Sequence, residues 1–275
     1  MTGGGFLPRR ALGLGLVLSA ALAAAPARAQ GGIPGVATGV GNRFLQTQTP
    51  LTNDSGVLEA LFTHRFAQAA KDSEGNGLLG LGGGSYVTLG LDYALVKNLS
   101  VQVSWSNASY DYEFTLKGTL LRPTEKLPLA VGLRGGLNWI TASYAEKQSG
   151  AFGQLLVAAT IADRVTLSVA PAWVQRTPYH ADVWNVSLAA QVRIGSSLAA
   201  IAEFVPKKNW SPETTYQWSF AVEKQVYHHR FLIWIGNALP TTMDQLIGGD
   251  FNGDVTDRNL HIGFNISRAF DLVKN

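Results

Sequence analysis

The residues of this chain best placed to do chemistry are charged side chains at alternate positions in otherwise apolar stretches. Glu59, Asp92, Asp111, Glu113, Glu203 and Glu223 stand against Arg65, Lys117, Arg134, Arg176 and Arg193. Both signs in near-equal number suit ion pairing, or the lining of a narrow polar conduit, better than a one-sign ring that selects ions. Buried ions need partners in any case. Pairing alone therefore leaves two readings open, a solute pathway and a closed interior whose charges satisfy one another.

Other chemistries find little support. His64, His180, His228, His229 and His261 show no metal-ligand spacing. The adjacent His228 and His229 would point to opposite faces of a strand. Asp250, Asn252, Asp254 and Asp257 resemble a loose calcium loop but lack its glycine position and its distal glutamate, and read as a solvated turn. The chain has no G-x-S-x-G elbow, and no serine matches His64 in parity and depth, so a lipid hydrolase is not expected. The glycine-rich 80–84 stretch lacks a dinucleotide fingerprint and reads as a loop. No catalytic residue, cofactor or metal is assigned, and the chain is not read as an enzyme.

The charged positions need elements to hold them, and composition narrows the choice. The 275 residues include no cysteine, which excludes a disulfide framework, a thiolate metal site and a lipoprotein anchor. Charged residues are only 15% of the chain, and the formal charge is +3. That charge sits in the leader. Arg9 and Arg10 precede an apolar run over 11–25, and Ala27-Arg28-Ala29 makes a small-residue exit, so residues 1–29 read as a cleaved secretory signal peptide. Its removal takes away three arginines and no acid, leaving 19 basic and 19 acidic residues. A neutral mature chain gives no support for a nucleic-acid partner.

Beyond residue 30 no apolar stretch is long enough for a membrane helix. Period-two alternation appears instead, as in Leu99, Val101, Val103 and Trp105 against Ser100, Gln102, Ser104 and Ser106. Strands are predicted over 57–68, 85–95, 98–107, 110–122, 128–141, 151–162, 164–176, 183–194, 197–206, 215–225, 228–237 and 258–270. Most have the length that crosses a bilayer at a tilt. Connections tend to alternate short and long, as in a transmembrane barrel with both termini on the short-turn side. Trp105, Tyr110, Tyr112, Trp139, Trp173, Trp184, Trp218 and Trp234 fall toward the long-loop ends, where membrane-interface aromatics belong, and Trp210 falls in an outer loop. Pro171, in mid-strand, predicts a bulge. The fold class is all-β, a single antiparallel up-and-down transmembrane barrel of about twelve strands with a polar lumen. A soluble lipocalin-like barrel would turn an unusually charge-poor face to water, and its lumen would be too wide for side chains alone to fill.

Several strings carry a family resemblance: Gly56-Val57-Leu58-Glu59, Phe62-Thr63-His64-Arg65-Phe66, Leu89-Gly90-Leu91-Asp92-Tyr93, the 112–122 segment and Gly263-Phe264-Asn265-Ile266-Ser267-Arg268. The chain resembles the DUF5777 family of membrane-bound β-barrel proteins over residues 40–270. The resemblance implies an outer-membrane barrel in a Gram-negative-type bacterium and carries over no site residues. The last strand also resembles the signal read by barrel-assembly machinery, with Phe264, Ile266 and Phe270 alternating before a five-residue tail.

The sequence thus predicts a signal peptide over 1–29, a periplasmic or lumenal segment over 30–56, the barrel over 57–270 and a tail over 271–275. Its expected partners are outer-membrane lipid, the assembly machinery and a small polar solute. The expected function is a narrow channel with both charge signs in its lumen; the alternative is a non-conducting structural or docking barrel.

Overall fold

A segment with one greasy and one polar face can bury only one of them, and a closed sheet in lipid solves this by turning the greasy face outward. The computed structural model describes residues 41–70, 78–143, 148–175, 182–206, 216–248 and 259–273. Residues 1–29, expected to be a leader, Arg176, His180, Trp210 and the 250–257 stretch lie outside them.

Twelve strands form, β1 (Val57–Phe66), β2 (Ser85–Val96), β3 (Leu99–Ser106), β4 (Asp111–Leu121), β5 (Leu129–Ile140), β6 (Gln148–Ile161), β7 (Val165–Val174), β8 (Val183–Arg193), β9 (Leu198–Val205), β10 (Gln217–Val226), β11 (His229–Gly236) and β12 (His261–Asp271). Each pairs antiparallel with its sequence neighbours, and β12 returns to β1 from Val57↔Asp271 to Arg65↔Gly263. The barrel is closed, so no edge is left unpaired. The strands lie within a few residues of their expected positions; β6 starts earlier, at Gln148, and β12 later, at His261. Short turns gather at one rim. One is the 162–164 turn between β6 and β7, where Ala162 and Asp163 are left-handed at φ 49° and 53° and Arg164 N–H donates to Ile161 O at 3.0 Å.

The expected bulge at Pro171 does not form. Pairing with β8 runs unbroken through Pro171↔Val186. On the β6 side the register is the same at Gln154↔Ala172 and Val157↔Val169, with two rungs missing between them. The absent N–H is accommodated by losing rungs rather than by inserting a residue. Register shifts occur instead between Ala94 and Val96 and between Thr119 and Leu121.

Outward positions carry exposed large apolar groups such as Leu89, Leu116, Phe114, Phe220 and Ile233, while inward positions carry buried Ser100, Asp111, Lys117, Ser187 and Glu223. Wall side chains alone would leave this lumen hollow. Two pieces of the same chain fill it: residues 41–56, which precede β1, and residues 237–248, which follow β11 and include a π-helical turn over Asp244–Gly248. One cavity between them, lined by Asn42, Arg43, Gln46, Thr242 and Met243, holds about 30 Å³, room for about one water.

Trp234 corrects an expectation. It lies inside the lumen at 1% exposure, not at a membrane interface. Depth along the strand was the wrong guide, because parity puts Trp234 on the same face as buried Arg230 and Leu232. The Arg65 guanidinium carbon sits 5.0 Å from the indole centroid. The ring lies flat against Gly263, where a Cβ would fall 2.5 Å from the indole and 2.6 Å from the His64 carbonyl. Gly263→Val should therefore displace the indole at an overpacking cost of about 1–3 kcal/mol. It should lower the temperature at which the folded band converts on a heat-modifiability gel. An unchanged conversion temperature would contradict this packing.

The plugged lumen as candidate functional site

Residues 41–56 enter as a hairpin. Thr49 N–H donates to Asn42 O at 3.0 Å and Phe44 N–H to Thr47 O at 2.9 Å, with a bridge between Arg43 and Gln48. Both ends lie near the short-turn rim, where Gly41 sits against the Arg230 side chain and Gly56 N–H donates to Ala94 O. The tip, 44–47, reaches well into the barrel.

A tight turn of main chain in a nearly dry space must have its polar groups satisfied by the wall. The Glu203 carboxylate accepts three successive amides, from Leu45 at 2.9 Å, Gln46 at 3.0 Å and Thr47 at 2.9 Å. Carbonyls are met by cations and amides. Lys117 Nζ donates to Asn42 O at 3.1 Å, Arg230 to Arg43 O at 2.8 Å, and Asn265 Nδ2 to Leu45 O at 3.1 Å. Thr119 Oγ1 donates to Pro50 O and accepts from Thr52 N. Phe44 and Leu45 supply the apolar anchor, packed with Ile201, Leu232, Trp234 and Leu239. Burial pushes the Arg43 guanidinium below its usual range.

The 237–248 loop closes the lumen from the other side. Ala238 O accepts from Gln46 Nε2 at 2.9 Å and from Arg65, so the two inserts meet. Thr241 bonds Thr88 and Ser106, Met243 N–H donates to Glu113 at 2.7 Å, and Gln245 Nε2 donates to Ala108 O. Met243, Leu246 and Ile247 pack on Phe152, Ala172, Val174 and Val205. Asp244 Oδ1 accepts from Thr242 Oγ1 and from the Gln245 N–H, both at 2.8 Å.

Of the charges expected inside, Glu59, Arg65, Asp92, Asp111, Glu113, Lys117, Arg134, Glu203 and Glu223 are buried on the inner face. Arg193 is only half-buried, at the end of β8, and joins neither described ion pair. The expected bridging of the lumen by ion pairs is not what forms. The two ion pairs among the described residues, Arg134–Glu113 and Arg230–Glu223, each join adjacent strands along the wall.

The remaining charges serve the inserts, which explains two arrangements that a bare wall would not favour. Lys117 lies directly opposite Arg134, and Glu59 directly opposite Asp92. Like charges so placed repel. Here Arg134 turns to Glu113 while Lys117 takes the hairpin, and Glu59 takes Asn53 while Asp92 takes Asn42 and Gln102.

Sequence reasoning missed Arg230, Arg43, Asp244 and His261. Arg230 was readable from the same parity as Leu232. His261, whose Nδ1 lies 3.1 Å from Phe66 O, begins its strand three residues later than expected. His64 lies on the outer face, its ring stacked 5.2 Å from Phe264 and its Nδ1 without a hydrogen-bond partner. No group of three or more metal-ligating side chains forms among the described residues.

Trp105, Tyr110, Tyr112, Trp139, Trp173, Trp184 and Trp218 all lie on the outside at the long-loop rim, half-buried or exposed. Neighbouring rings touch, with Tyr112 and Trp139 centroids 5.9 Å apart and those of Trp173 and Trp184 6.3 Å apart.

A family model described as a membrane-bound beta barrel domain (DUF5777) matches residues 40–270. The chain belongs to this family. The DUF5777 barrel has no match among curated proteins. Among solved structures it is similar to an outer-membrane channel from Pseudomonas putida F1, at 9% identity and TM-score 0.50, covering 79% of this chain and 96% of that one. It is also similar to the KdgM porin in complex with oligogalacturonate, at 10% identity and TM-score 0.48, covering 77% and 99%. A third similar structure is outer-membrane phospholipase A from Escherichia coli, at 11% identity and TM-score 0.44, covering 79% and 91%. At these identities the likeness is one of fold.

Glu203→Ala should leave three buried amides without an acceptor, each costing about 1–3 kcal/mol. Hydrogen exchange at Leu45–Thr47 should speed up by at least about tenfold, and unchanged exchange would contradict the cradle. Burial raises the Asp244 carboxyl above its ordinary range. Its contribution to loop docking is therefore present at low pH and lost as pH rises through that raised value. Amide protection over 241–248 should fall with rising pH, and Asp244→Asn should flatten the dependence. A pH-independent wild-type loop would sink this assignment.

Proposed function

We propose that the DUF5777 barrel is an outer-membrane channel for small polar solutes that rests closed, stoppered by its own 41–56 hairpin and 237–248 loop. The observation that carries this reading is the polarity of the inner wall where the hairpin does not reach. Thr166, Ser168, Gln154, Ser187 and Gln191 line β6, β7 and β8 and are buried. Carbonyl oxygens of Gln154, Gln191 and Gln217 have no partner. A barrel that was only ever filled would gain by apolar packing at such sites. A wall that at times faces water would keep them polar, because water then satisfies them. The charges of both signs fit a conduit without strong ion selectivity.

Export through the 1–29 leader, and a headgroup-level position for the seven outward aromatics at the long-loop rim, belong to the same reading. It assigns the chain no catalytic step. The second reading, a structural or docking barrel that never conducts, is favoured by the two inserts that occupy the centre of the lumen.

Planar-bilayer recording of purified, heat-modifiable protein separates the two. The full chain should be mostly silent, and a variant lacking 41–55 with 239–247 shortened should give discrete steps altered by Arg134→Ala or Glu113→Ala. Silence of that variant, folded by the gel criterion, would overturn the channel in favour of the structural barrel.

A further inference from the structure

The wall treats the hairpin as a ligand. Eight of the contacts described above go to its main chain: the amides of Leu45, Gln46, Thr47 and Thr52 and the carbonyls of Asn42, Arg43, Leu45 and Pro50. Main-chain groups are the same in every peptide, so this set reads the shape of a turn rather than a sequence. Selectivity comes from the apolar pair Phe44 and Leu45, both 1% exposed against Trp234, Leu232 and Ile201, and from the side-chain amides of Asn42, Gln48 and Asn53, which meet Asp92, Lys117 and Glu59.

The opposed like charges point the same way. Lys117 facing Arg134 and Glu59 facing Asp92 repel as a bare wall, and the occupant eases both pairs by offering the Asn42 carbonyl to Lys117 and the Asn53 and Asn42 side-chain amides to Glu59 and Asp92. The connection to the barrel is slight at the other end of the segment, where Asp54 and Ser55 are exposed at the short-turn rim.

We infer that the lumen is a peptide-binding site, occupied here by the chain's own 41–55 segment, which also accepts in trans a polypeptide turn bearing two adjacent apolar residues and entering from the short-turn rim. The site requires no conduction, so it stands apart from the channel reading.

The test keeps the protein intact during folding. A protease site is inserted between Asp54 and Ser55, and the folded barrel in detergent is then cleaved. A fluorescent synthetic peptide of residues 41–53, labelled at its Asn53 end, is added. The labelled peptide should exchange saturably into the cleaved barrel. Methylating the Gln46 amide nitrogen, or replacing Phe44 and Leu45 by alanine, should weaken its binding at least about tenfold, as loss of a buried charge-assisted hydrogen bond or of a packed anchor does. Replacing Thr47 by alanine should change binding less than about threefold, since its hydroxyl is not hydrogen-bonded to the wall. Absence of exchange would overturn the inference. So would binding indifferent to the N-methyl group, or equal binding to a cleaved barrel carrying Glu203→Ala. Bilayer recording of the cleaved barrel reports separately on conduction, so steps without peptide binding would remove this inference and leave the channel standing.

Discussion

A main-chain turn inside a closed barrel has no solvent to bond to, and that constraint organises the interior. Each amide and carbonyl of the 41–56 hairpin must find its partner on the wall or pay the full desolvation penalty. Glu203 answers it most directly, one carboxylate holding three consecutive N–H groups. A charged acceptor for three donors is a strong arrangement in a low-dielectric space, and it fixes the tip of the hairpin at one height. Lys117, Arg230 and Asn265 then meet the carbonyls that the turn exposes. With the tip so placed, Phe44 and Leu45 reach Trp234, and Gln46 reaches Ala238 of the opposite insert.

The consequence is that inward charges are shared between two tasks. Two pairs, Arg134–Glu113 and Arg230–Glu223, brace adjacent strands. Glu59, Asp92, Lys117, Glu203 and Arg65 hold the inserts. Buried ion pairs give little net stability compared with apolar packing, but removing one member is costly. An interior built this way is specific about where its inserts sit while remaining compatible with water if they leave.

The barrel was legible in the sequence because a bilayer enforces period two on every strand. Val101, Val103 and Trp105 against Ser100, Gln102 and Ser104 gave a strand with one apolar face, the low charge favoured lipid over water outside it, and parity placed Glu59, Asp92, Lys117 and Glu203 on the inside. Two things were not legible. The hairpin has no periodicity, since a turn held by wall side chains needs none of its own, and the 30–56 stretch could be read only as a periplasmic or lumenal segment, without its turn or its partners. Trp234 was misplaced because depth alone was weighed. The parity of Arg230, Leu232 and Trp234 carried the right answer, and Gly263 across the pair made the room. Among the described residues, only Arg134 and Glu113 of the expected lumenal charges pair with each other; Glu203, Lys117 and Arg65 meet main chain and Glu59 and Asp92 meet side-chain amides of the hairpin, partners that no alternation of charge announces.

The central claim is that the 41–56 hairpin occupies the lumen of the folded barrel in the membrane. The chain has no cysteine, so a single one can report on it without background. Thr47 is 2% exposed at the hairpin tip, and Ser55 is exposed at the rim. In barrels reconstituted into vesicles and reached from both sides, Thr47→Cys should resist a membrane-impermeant maleimide under conditions where Ser55→Cys is labelled to completion, and become reactive on denaturation. Labelling of Thr47→Cys at the rate of Ser55→Cys would show an open lumen and contradict the account.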